Sequence, residues 1–147
     1  GGFWTQIGQD IDGEAVGDRS GTYVSLSADA STVAIGAPLN DGNGNNSGHV
    51  RVYNRDGNSW KQLGQDINGE AADDQSGYSV SLSSHGETVA IGAPYNYGNG
   101  TYPGKVRIFE WNGSSWTQKG QDINGEAPED YFGSVSGADY KAPESPF

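Results

Sequence analysis

Asp41-Gly42-Asn43-Gly44-Asn45 sets side-chain oxygens at alternate positions, Asp41, Asn43 and Asn45, the spacing by which a flexible loop wraps Ca²⁺. A matching loop, Tyr97-Gly98-Asn99-Gly100-Thr101, has no carboxylate, and Asx-Gly strings are also ordinary turn chemistry. Other acids follow a recurring triplet. Gly13-Glu14-Ala15 precedes Asp18, Gly69-Glu70-Ala71 precedes Asp73 and Asp74, and Gly125-Glu126-Ala127 precedes Glu129 and Asp130. These segments and the Asn-Gly loops are expected on one rim, where they would attract a cation or a basic partner, or simply keep a glycine-rich surface soluble. His49 and His85 stand at different points of the pattern with no repeated acid or nucleophile beside them, so neither a catalytic triad nor a histidine-based metal site is expected.

Aromatic faces suit the apolar faces of sugars. Trp4, Trp60 and Trp116 nevertheless recur at one position and are expected to pack between neighbouring sheets. Trp111 stands where the preceding copy has Arg55; with Tyr53 and Tyr95 it is the candidate ligand-contact aromatic set. Three acceptor sequons, at Asn45, Asn99 and Asn112, fall in turn-forming stretches and are candidate glycosylation sites.

The elements that must position these groups are written in a repeat. Trp4, Trp60 and Trp116 open the near-identical segments WTQIGQDIDGEA, WKQLGQDINGEA and WTQKGQDINGEA, 56 residues apart. Residues 4–59 align with 60–115 without a gap, at about 32 of 56 identical positions. Each unit contains four short β runs, represented by TYVSLS (22–27), STVAIGAP (31–38), HVRVYN (49–54) and the Trp segment, separated by turn formers. The second run has Val and Ile on one side and Ala and Gly on the other, as a strand between two sheets requires. No helical periodicity is present.

The fold class is therefore all-β: four-stranded antiparallel blades of a β-propeller, with a sandwich as the runner-up. The units are a leading strand and connection (1–19), blade repeats at 20–75 and 76–130, and a partial third repeat with an irregular tail (131–147). About two and a half blades do not close a ring, which implies further blades of a longer chain, a shared ring or an open array. The Gly1-Gly2 start and the lack of Met suggest a processed form or an excerpt.

Composition narrows the function classes. With 147 residues, 24 glycines, no Cys and a formal charge of -11, the chain has no disulfide framework, zinc-thiolate site or thiol catalysis, and is ill suited to nucleic acid or anionic membranes. No apolar run is long enough to span a bilayer as a helix, and membrane insertion is not expected.

In GTYVSLSADASTVAIGAP and SGYSVSLSSHGETVAIGAP the chain resembles the FG-GAP repeat, the blade of integrin α-like propellers. Gly-Ala-Pro stands at 36–38 and 92–94, whereas Phe-Gly is intact only at Phe132-Gly133; Ser20-Gly21 and Ser76-Gly77 replace it earlier. The resemblance covers about residues 4–136 and implies a seven-bladed, extracellular or cell-surface propeller that is adhesive or ligand-binding. The family's calcium loop between the first two strands is replaced by the tight turns Ala28-Asp29-Ala30-Ser31 and Ser84-His85-Gly86-Glu87, so that site does not carry over. The expected function is a non-catalytic module for adhesion, protein–protein interaction or assembly, with no cofactor beyond a possible Ca²⁺. The alternatives are a carbohydrate-binding lectin and, less favoured, part of a larger propeller enzyme. Its expected partner is a protein or glycan at the cell surface, or further blades or copies of itself.

Overall fold

The computed structural model describes residues 2–97 and 102–134 and contains only strands and turns among them. The first sheet comprises β1 (Tyr23–Leu26), β2 (Thr32–Ala37), β3 (His49–Asp56), β4 (Ser59–Gln62) and β5 (Ile67–Asn68). The second comprises β6 (Ser79–Leu82), β7 (Thr88–Ala93), β8 (Lys105–Trp111), β9 (Trp116–Gln118) and β10 (Ile123–Asn124). Every pairing between them is antiparallel. The Trp segment, read as one strand, is divided: β4 pairs with the outer half of β3, and β5 pairs with its first two residues. Between them Gly64 turns the chain out of the ladder at φ 76°, and the rings of Trp111 and Trp116 lie over it.

Strand alternation decides what each face buries. Ala34, Val50, Val52 and Ile67 lie on one face of the first sheet, and Val89, Ile91, Phe109 and Trp116 on the facing side of the second. Together they form the main core, with Leu63, Val80, Leu82 and Trp111 at its margin. Val33, Ile35 and Tyr53 form a smaller cluster on the opposite face of the first sheet, covered by Ile11 and Trp60. Val33, Ile35, Val89 and Ile91 are core residues, as expected, and Ala34, Gly36 and Gly92 make the expected close approach; Ala90, expected to do the same, is only half-buried on the outer face of the second sheet. A Cβ on Gly36 would strike the carbonyl oxygen of Gly77, and one on Gly92 the carbonyl oxygen of Gly133. Gly77 and Gly133, at the second and third Phe-Gly positions, thus rest against the Gly of the preceding Gly-Ala-Pro.

The leading segment corrects the reading of residues 4–11 as an outer strand. They form no strand, and Trp4 is fully exposed. The sequence is the same as in β4 and β9, but those have β3 and β8 to pair with. A strand needs a neighbour for its backbone hydrogen bonds, whatever its propensity. At the other end, Phe132 makes an isolated bridge to Gly104, matching that of Ser76 to Gly48; residues 135–147, with the expected irregular tail, lie outside the described residues.

The β1–β2 turn is organised by one carboxylate. Asp29 Oδ1 accepts hydrogen bonds from the Ser31 hydroxyl (2.7 Å), the Ser27 hydroxyl (2.9 Å) and the Ser31 N–H (3.0 Å). Led by Ser31, these bonds favour the ionised form and hold its pKa at about 2, against the ordinary 3.8. A depressed folded-state pKa means that the contribution is complete above the unfolded value and fades as pH falls through the folded one. Asp29→Asn is accordingly expected to reduce the acid-induced loss of stability between these two values. Denaturant unfolding at stepped pH measures it, and unchanged acid sensitivity in the variant would exclude this role.

Candidate functional site

The first Asn-Gly loop and the acidic connector that follows its sheet share a rim; the Asn-Gly of the second loop lies outside the described residues. Asn43 Nδ2 donates to the carbonyls of Gly69 (2.8 Å) and Glu70 (3.3 Å), and the Asp73 N–H donates to the Asn45 carbonyl (2.7 Å). Buried Asp18 accepts from Asn40 Nδ2, and buried Asp74 from Asn96 Nδ2, at 2.8 Å in each repeat. Burial raises the Asp74 pKa against the opposing hydrogen bonds from Asn96 and Ala71. Each connector is therefore pinned to the loop above its sheet.

Below these pins, three side chains meet in each repeat. In the second, Lys105 at the start of β8 extends Nζ to Glu70 Oε1 at 2.6 Å and Asp122 Oδ2 at 2.8 Å. Burial disfavours the Lys105 charge, but the hydrogen bonds to Asp122 and Glu70 outweigh it and raise its pKa; the same contact with Lys105 lowers that of Asp122. Gln118 Nε2 holds the other oxygen, Asp122 Oδ1, at 2.7 Å.

Exactly one repeat earlier in register stand Glu14, His49 and Asp66. His49 Nδ1 lies 3.7 Å from both Glu14 Oε1 and Asp66 Oδ2, beyond hydrogen-bond range. Gln62 Nε2 fixes Asp66 Oδ1 at 2.7 Å, as Gln118 fixes Asp122. His49 is 1% exposed, and its Nδ1 has no hydrogen-bond partner. Burial lowers the His49 pKa, against the attraction of Asp66 and Glu14; Arg51 also lowers it, and Asp18 raises it. The neutral imidazole is favoured, and three donor atoms lie within 4.8 Å of one another.

Arg51 and Arg107 complete the frame. Their guanidinium groups donate to the connector carbonyls of Asp12 (2.7 Å) and Asn68 (2.8 Å) and lie over the rings of Tyr53 and Phe109. The sequence signal for the cluster was available: His49 and Lys105 are register equivalents between repeated acids. Considering the histidines apart from the acids concealed it.

The other sequence candidates are dispersed. Asp41 Oδ1 accepts the Asn46 N–H at 2.8 Å and Asn43 holds the neighbouring connector, so both tie the loop together; Asn45 is exposed. Tyr53 is buried and accepts a hydrogen bond from Arg51 Nη1 at 2.7 Å. Trp111, expected at the surface, is half-buried with its ring 5.5 Å from that of Trp116. Tyr95 joins a rim cluster with Tyr78, Tyr102 and Tyr131 at centroid distances of 5.8, 6.0 and 5.5 Å. Among the sequons, Asn45 and Asn112 are exposed, with Asn112 Oδ1 closing a turn onto the N–H groups of Ser114 and Ser115. Asn99 lies outside the described residues.

Residues 10–53 match the family model of the FG-GAP repeat, a span running from the first connector through β1 and β2 into β3. The chain carries an FG-GAP repeat, and its sheets are those of a propeller-type module. No curated protein matches the chain.

Proposed function

We propose that this propeller-type module is a non-catalytic, extracellular binding unit that acts in adhesion or assembly by stacking against further blades of the same repeat. The observation that supports it is a difference between equivalent positions. Ala34, Val50, Val52 and Ile67 are buried against the next sheet, whereas Ala90, Val106 and Ile108 are half-buried and Ile123 is 47% exposed. Val24 and Leu26 are likewise exposed, while their equivalents Val80 and Leu82 pack on the core. One outer face has the character of each side of the existing interface, so a further blade fits either face by the same contacts. FG-GAP repeats are typically non-catalytic and extracellular, which favours the same reading.

Self-association of the 147-residue chain tests the stacking. Light scattering is expected to show concentration-dependent association that Ile108→Arg suppresses, by placing a charge on the open face. Charge -11 opposes contact, but screening over about 8 Å at physiological salt weakens the repulsion. A well-folded monomer at every concentration would overturn the proposal. Carbohydrate binding is a second reading, favoured by the tyrosine cluster around Tyr95; defined glycans bound on an array and lost in Tyr95→Ala would support it instead.

A further inference from the structure

We infer that Glu14, His49 and Asp66 form a binding site for a divalent transition-metal ion of the Zn²⁺ class, which clips the leading connector to the first sheet. Three observations converge. Two carboxylate oxygens and an imidazole nitrogen form a donor set suited to such an ion. The nitrogen is buried, lacks a hydrogen-bond partner and faces both carboxylates at 3.7 Å. In the second repeat the same position, between the equivalent acids, holds a cation already: the Lys105 ammonium.

The shorter imidazole of His49 cannot replace that ammonium by itself. It leaves two carboxylates converging on a buried, unpartnered ring nitrogen, where the second repeat has a positive charge in contact with both. An ion supplies that charge. Tetrahedral ligands about 2.0–2.1 Å from zinc stand about 3.3 Å apart, so the two 3.7 Å separations from His49 need a small contraction, and the Glu14 and Asp66 oxygens, within 4.8 Å of each other, close by at most about 1.5 Å through their exposed side chains. Gln62 orients Asp66 from behind, and Asn40 Nδ2 approaches Glu14 Oε1 at 3.5 Å, supplying outer-shell support. The side chains of Glu14 and Asp66 are 44% and 32% exposed, which provides an entry path and room for a water ligand. Arg51 beside the site offsets part of the acidic charge and favours a neutral His49.

The test titrates the full chain with Zn²⁺ alone, following heat and histidine ring NMR signals. One equivalent is expected to shift the His49 ring and leave that of His85, the chain's other histidine, unmoved. His49→Lys copies the second repeat and is expected to fold while losing zinc affinity by at least about 100-fold. Lys105→His is expected to raise the stoichiometry from one ion to two by creating the same donor set at Glu70 and Asp122. Zinc that leaves the His49 ring unmoved, or binds His49→Lys as well as the parent, would overturn the site and identify adventitious binding to the acidic surface. Should His49→Lys not fold, the parent's ring shifts and the Lys105→His stoichiometry decide; failure of both overturns the assignment.

Discussion

Trp116→Ala is expected to destabilise the protein by about 3–5 kcal/mol, while Trp4→Ala changes stability by no more than about 0.5 kcal/mol. These residues occupy the same repeat position, so side-chain chemistry and local sequence cannot account for the difference. Trp116 is 3% exposed within the main core, and its Nε1 donates to the Leu63 carbonyl at 2.8 Å. Its backbone N–H and carbonyl also pair with the Gln65 amide, at 3.1 and 2.8 Å. Truncation would open a cavity between the sheets and leave the Leu63 carbonyl without its indole donor, while the backbone bonds to Gln65 remain. Trp4 is fully exposed and has no such cavity to leave. Trp60 makes the equivalent bond to the Ile7 carbonyl at 2.8 Å but is only half-buried, so its truncation should fall between the other two. Urea unfolding of the three variants measures the order. Equal losses at positions 4 and 116 would mean that the main core does not depend on the sheet interface described.

Gly36→Leu is expected to cost about 1–3 kcal/mol through overpacking, with separation of the two sheets as its structural consequence. Even the first carbon of the new side chain would collide with the Gly77 backbone, which has no rotamer by which to retreat. On the other side, Gly77 sits at φ 90° with its Cα 3.3 Å from where a Gly36 Cβ would stand; a Cβ on Gly77 would in turn meet the His49 carbonyl. The contact is backbone against backbone and relaxes only if a sheet moves. Gly92→Leu meets the same obstacle at Gly133, but its sheet face is more open, with Ala90, Val106 and Ile108 only half-buried beside it. The expected order is therefore a larger loss at Gly36 than at Gly92. Denaturant midpoints for both variants test it, and a Gly36→Leu protein as stable as the parent would show that the sheets do not approach as described.

The repeat length, the first three strands of each unit and the faces they bury are legible in the residues alone. Alternation in TYVSLS and STVAIGAP reports the period of the pleat, and small residues at Ala34 and Gly36 report close approach, because both are properties of a strand's own side chains. Only the tertiary structure decided whether each face has a neighbour. Trp4 and Trp116 stand in nearly identical segments, yet one is solvent-exposed and unpaired while the other is core, because β8 and the first sheet lie beside Trp116 and, among the described residues, no strand adjoins Trp4. The same reason kept Trp111 from standing free as a surface aromatic: its neighbour is a ring five residues ahead that folds back across a hairpin. The candidate site was written in the repeat as His49 against Lys105, but its meaning was spatial. Glu14 comes from a connector, His49 from the start of β3 and Asp66 from the approach to β5; hydrogen bonding of β3 to β5 brings Asp66 to His49, and Arg51 holds the connector of Glu14 beside them through the Asp12 carbonyl. A period in the sequence fixes which residues are equivalent; the distance between their side chains is set by the packing of segments that the period does not connect.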